Sequence, residues 1–99
     1  MTLPIAIEHE RIREFCERNQ IRRLAFFGSV LRDDFTPESD VDVLVEFVPG
    51  ATIGYLAMAR MERELSDLLA RRVDLRTPSE LSHYFRSRVL AEAREEYVA

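Results

Sequence analysis

Nine residues, SDVDVLVEF (39–47), constrain this chain more than any other stretch. Val41, Val43, Val45 and Phe47 alternate with Asp40, Asp42, Leu44 and Glu46. That period of two places the valines on one face of a strand and the acids on the other. The polar face poses the question. Aspartate is depleted in strands, yet two of them stand two residues apart at the strand's start and project the same way.

The flanking segments supply the remaining elements. IAIEHERIREFCERN spaces Ile5, Ile12, Phe15 and Cys16 at helical intervals, which predicts an amphipathic helix over residues 4–18. IRRLAFF (21–27) reads as a strand that stops at Gly28, with a short helical turn over residues 29–33 and turn chemistry in FTPES (35–39). IGYLAMARMERELSDLLARR predicts a second amphipathic helix, its apolar face made of Leu56, Met58, Met61, Leu65, Leu68 and Leu69. RRVDLRT (71–77) is a third strand with Asp74 opposite Val73 and Leu75. TPSE then carries a helix start signal, with Thr77 as cap, Pro78 in the first turn and Glu80 closing a capping box. The last helix is expected to run to about residue 97 with Leu81, Phe85, Val89, Ala93 and Tyr97 in one row. The resulting fold is α/β (α+β), in the order α-β-(turn)-β-α-β-α. A small mixed sheet carries the aspartates on one face or edge, and the helices pack on the other.

Composition limits what such a fold can do. The chain of 99 residues is expected to form one domain spanning residues 1–99, with room for a single core. A net charge of −4 disfavours nucleic acid as a direct partner, since phosphate backbones recruit a basic excess. No apolar run reaches the ~20 residues of a membrane span, and the N-terminus becomes charged too early for a signal peptide. The lone Cys16 allows no internal disulfide and fits a reducing cytoplasm. All 14 basic residues are arginine, which excludes lysine nucleophiles.

Asp40 and Asp42 repel each other unless a cation lies between them, and hard cations such as Mg²⁺ prefer oxygen ligands. Asp74 would add a third carboxylate if its strand is a neighbour. Carboxylates around paired metals drive in-line phosphoryl or nucleotidyl transfer. Gly28-Ser29, with ten residues between it and Asp40, supplies the complementary half: backbone that can approach a phosphate, and a hydroxyl donor. Arg32, one turn on, either reaches a terminal phosphate or sits in solvent. Other residues carry blander readings. His9 and His83 read as surface residues, Cys16 as packing, and Met58 and Met61 as core. Tyr84, Leu90, Tyr97 and Val98 fall partly outside the core row and could form a partner-binding patch.

Taken together, Gly-Ser, ten residues, Asp-x-Asp and a later VDL strand resemble the DNA polymerase β-like nucleotidyltransferase superfamily. FGSVLRDDFTPESDVDVLVEF, DLLARRVDL and TPSELSHYFRSRVLAEA are similar to the minimal nucleotidyltransferases (MNT), the MntA-type antitoxins encoded beside HEPN-domain toxins. The resemblance implies that Gly28 and Ser29 grip the triphosphate. It implies further that Asp40 and Asp42 bind metal, that Asp74 helps activate the acceptor hydroxyl, and that two Mg²⁺ ions and ATP take part. Family members often read A-R-G-E after the turn, where this chain has Leu31-Arg32-Asp33-Asp34.

The function expected on this basis is transfer of AMP from ATP to a hydroxyl, a tyrosine by resemblance, on a HEPN toxin docked to a cytoplasmic antitoxin. The size leaves no separate acceptor domain, so a partner must present the acceptor. Two alternatives stand beside it. One is a catalytically weak antitoxin that neutralises by binding. The other is a small-molecule nucleotidyltransferase of the aminoglycoside type, whose acceptor pocket a homodimer could build.

Overall fold

The computed structural model describes residue 5 and residues 7–32 and 35–99. Helix α1 (His9–Arg18) begins later than its apolar periodicity suggests, with Glu8 as its first flanking residue. It buries Ile12, Phe15 and Cys16, the predicted stripe, while Ile5 packs against the core from outside the helix. Asn19 closes the helix by donating its side-chain amide to the Phe15 carbonyl at 2.8 Å.

Strands β1 (Ile21–Phe27) and β2 (Val41–Phe47) pair antiparallel. A register shift between Ile21 and Arg23 lets Ile21 join Leu24 and Phe26 in the core. Helix α2 (Tyr55–Leu69) crosses back to β3 (Val73–Arg76), which lies parallel to β2. The valine face of the sheet, with Val41, Val43, Val45, Val73 and Leu75, is buried in one cluster with α1 and with Met61, Leu65 and Leu69 of α2. Met58 and Leu68 pack at its margin, but Leu56 is 81% exposed, so the apolar face of α2 is narrower than its sequence suggests.

Strand β3 is a sheet edge, and α2 covers its open backbone. Ser66 Oγ accepts the Val73 N–H at 3.1 Å, and a Glu62 carboxylate oxygen accepts the Leu75 N–H at 2.8 Å. An edge satisfied in this way offers little to another strand.

The C-terminal third departs from expectation. Glu80 does accept the Thr77 N–H, at 3.1 Å, but this capping box closes only a 3-10 turn over Pro78–Glu80. Leu81 is extended, and Ser82 starts a second helix, α3 (His83–Glu92), by accepting the Tyr84 N–H at 3.4 Å. Arg86 bridges the break by donating to the carbonyls of Pro78 and Leu81. The chain then leaves the helix and forms β4 (Arg94–Val98), antiparallel to β1, giving the order β3-β2-β1-β4. Residues 94–97, expected to be helical, are strand. The expected helical row is dispersed with them: Tyr97 pairs opposite Leu24 and packs on the core, while Phe85 is 59% exposed. The outer edge of β1 explains the change. Its unpaired backbone groups gain a ladder, and Glu95 gains Arg23 at 2.7 Å, at the cost of one helical turn.

Candidate active site

Pairing of Phe27 with Asp42 in the β1–β2 register brings the end of β1 against the start of β2. Gly28 opens a 3-10 turn over Gly28–Leu31 at φ +76°. A Cβ at this position would lie 2.1 Å from Asp42 Oδ2 and 3.0 Å from its Cγ, so only glycine permits the approach. The backbone N–H of Ser29 donates to the Asp42 carboxylate. Its hydroxyl reaches the Asp40 carbonyl at 3.4 Å. The turn is thus fastened to the strand that carries the aspartates.

The parallel register places Asp42 directly beside Asp74, on the face opposite the valine core. Burial pushes the Asp42 carboxyl above its ordinary range, and Asp74 and then Asp40 push it further. The Ser29 N–H and the charge of Arg32 work against that rise. Asp40 precedes β2 and is held by Arg72, with Nε–Oδ1 at 2.5 Å. Asp74 is held by Arg76 Nε at 3.1 Å. The loop before Asp40 is anchored from the same direction. Arg71 donates to the Thr36 carbonyl at 2.9 Å and lies 4.6 Å over the Phe35 ring, and Arg72 donates to the Glu38 carbonyl at 3.3 Å.

Among the described residues, no three acidic, histidine or cysteine side chains converge closely enough to cage an ion as they are placed. The donor chemistry nevertheless fits a hard divalent cation. Asp42 and Asp74 are register partners on adjacent strands, Asp40 stands just before the first of these, and the charge of both neighbours destabilises the Asp42 carboxylate. Arg72 and Arg76 stand as the counter-ions such a cation would displace. Both were missed in the sequence, although Arg72-x-Asp74-x-Arg76 is a period-two pattern that sets all three on one strand face.

A cleft of about 700 Å³ opens beside the turn. Gly28, Arg32 and Asp42 line it together with Phe85, Arg88 and Val89 of α3. The α3 residues carried no signal of a site, because their spacing is that of a core row. Asp33 and Asp34, where the sequence departs from A-R-G-E, lie outside the described residues. His9 and His83 are exposed, as expected, though His9 also pairs with Glu96 of β4. Burial pushes the Cys16 thiol up to about 12, consistent with a packing role.

A glycine-serine turn is thus clamped to carboxylates on neighbouring strands of a small mixed sheet. Comparison with known proteins identifies the class. The nucleotidyltransferase domain profile matches residues 9–95. The chain is 33% identical over 76 residues to a candidate protein adenylyltransferase of Methanocaldococcus jannaschii, covering 77% of this chain and 80% of that one. It is 36% identical over 80 residues to protein adenylyltransferase MntA of Thermococcus cleftensis, covering 81% and 79%. Among solved structures, a toxin–antitoxin complex with AMP-PNP superposes with a TM-score of 0.74 over 94% of this chain and 75% of the other, at 19% identity, a likeness of fold. The chain belongs to the nucleotidyltransferase domain family, among its minimal nucleotidyltransferases. It is a nucleotidyltransferase, and no helix among its described residues is long and apolar enough to cross a membrane.

Proposed function

We propose that this chain transfers AMP from ATP to a tyrosine hydroxyl of a HEPN-domain toxin and acts as that toxin's antitoxin. The observation that carries the reading is the clamp of Gly28 and Ser29 against Asp42, with Asp74 beside it. It sets an anion-binding turn next to a carboxylate pair on a rigid sheet. The relative MntA is named a protein adenylyltransferase, and a tri-AMPylated Shewanella oneidensis HEPN toxin in complex with an MNT antitoxin shares the fold at a TM-score of 0.66.

In this mechanism the Gly28–Ser29 turn receives the triphosphate, the Ser29 N–H and hydroxyl turning to it from Asp42 and the Asp40 carbonyl, and Arg32 adds positive charge beside them. Asp40, Asp42 and Asp74 would hold Mg²⁺, which when bound would supply Lewis-acid stabilisation of the charge on the transferring phosphoryl group. Asp74 takes the acceptor proton. The acceptor oxygen bonds to the α-phosphorus, the bond from that phosphorus to the bridging oxygen breaks, and pyrophosphate leaves. The sheet excludes water from one side of Asp42, and the docked acceptor would exclude it from the other.

Intact-mass spectrometry of this chain mixed with the partner encoded beside it, Mg²⁺ and ATP tests the reading. A gain of one or more AMP units on the partner, absent with Asp42→Asn, is expected. Complex formation without mass gain would refute transfer. A second reading, neutralisation by binding alone, has one observation behind it. Asp40 and Asp74 are each already paired with an arginine. Full protection of toxin-expressing cells by an Asp40/Asp42 double variant would establish it.

A further inference from the structure

The cleft beside Gly28 has lining residues that the phosphate and metal chemistry leaves unused. Phe85, Arg88 and Val89 of α3 are among them, as are Phe27 and Leu31 at either end of the turn. Phe85 owes its place there to no core contact, since α3 buries none of its residues. The helix is set instead by the Ser82 cap and by the hydrogen bonds of Arg86 to the Pro78 and Leu81 carbonyls. Arg88 and Glu92 pair at 3.3 Å, so the α3 lining of the cleft is close to neutral and offers a polyphosphate little. An exposed aromatic ring, a branched aliphatic side chain and a guanidinium suit a flat π-system instead. The volume of about 700 Å³ lies in the range of pockets that bury a nucleoside-sized ligand.

We propose that the nucleoside half of the substrate binds in this cleft. Its base stacks on Phe85 beside Val89 and Arg88, and the phosphates run back to Gly28 and Ser29. The inference rests on the nucleotide-transfer reading above and adds the subsite that holds the base. Continuity with Gly28 and Asp42, which line the same cleft, favours the nucleotide over an aromatic acceptor side chain as its occupant.

Calorimetric titration of the full chain in Mg²⁺, with AMP-PNP and separately with inorganic tripolyphosphate, tests it in the wild type, Phe85→Ala and Phe85→Tyr. Loss of one base–aromatic stack weakens AMP-PNP binding about tenfold in Phe85→Ala, while Phe85→Tyr stays within about twofold. Tripolyphosphate binds all three alike. Unchanged AMP-PNP affinity in Phe85→Ala, or an equal loss of tripolyphosphate affinity, would overturn the base placement. Binding of neither ligand by the wild type would instead overturn the nucleotide-transfer reading itself, so the two failures are distinct.

Discussion

Replacing Gly28 with alanine tests whether the turn and the central aspartate form one unit. The backbone at φ +76° lies in the left-handed region, where a Cβ costs about 1–2 kcal/mol. The new methyl would sit 2.1 Å from Asp42 Oδ2 and 3.0 Å from Cγ, so the carboxylate must rotate away. An off-rotamer side chain costs about 1 kcal/mol, and losing the Ser29 N–H bond costs about another. The sum is about 3–4 kcal/mol, which in a domain of this size lowers the melting temperature by about 15–25 °C. AMP transfer should fall by at least about 100-fold, because a displacement near 1 Å at a reacting centre is enough. The coupling is separable by a double-mutant cycle. In an Asp42→Ala background the Oδ2 and Cγ contacts vanish and only the 3.2 Å contact to Cβ remains. Gly28→Ala should then cost only about 1–2 kcal/mol. Equal costs in the two backgrounds, or a melting point within about 3 °C of wild type, would refute the clamp.

Three further variants probe the acids and the C-terminal strand. Burial and the charges of Asp74 and Asp40 raise the Asp42 pKa above 3.8, so its contribution to stability is fullest below that pH and is lost as pH rises through the folded value. In EDTA at pH 7, Asp42→Asn should therefore melt higher than wild type, with the advantage fading toward pH 4, and added Mg²⁺ should stabilise the wild type alone. A variant less stable than wild type in EDTA at pH 7 would contradict the repulsion. Tyr97→Ala should cost about 2 kcal/mol in chemical denaturation, and deletion of residues 94–99 should also promote self-association, because the edge of β1 is left open. A loss of only a few tenths would mean that these residues fray like a helix end.

Much of the architecture could be read from local pattern. The alternation of Val41, Val43 and Val45 with Asp42 and Leu44 placed β2 correctly, and Ile12, Phe15 and Cys16 named the buried stripe of α1. The pairing of Val73 and Leu75 against Asp74 likewise identified β3 and its polar side. Periodicity suffices wherever an element's burial is set by its own neighbours three, four or two residues away. It misled in the C-terminal third. Leu81, Phe85, Val89, Ala93 and Tyr97 have helical spacing, but their fate depended on groups far off in the chain.

By itself the sequence determined the strands that carry the acids, the glycine that must precede them and the family they belong to, because these reside in short contiguous motifs. Only the tertiary structure decided that Asp42 and Asp74 are register partners and that Arg72 and Arg76 neutralise their neighbours. It alone decided that residues 94–98 complete the sheet and that Phe85 faces a cleft and not the core. Apart from the pair Arg76 makes with Asp74 two residues away, the physical reason is common to these. The open backbone edge of β1 and the charges on adjacent strands act between residues tens of positions apart, and no local period records them.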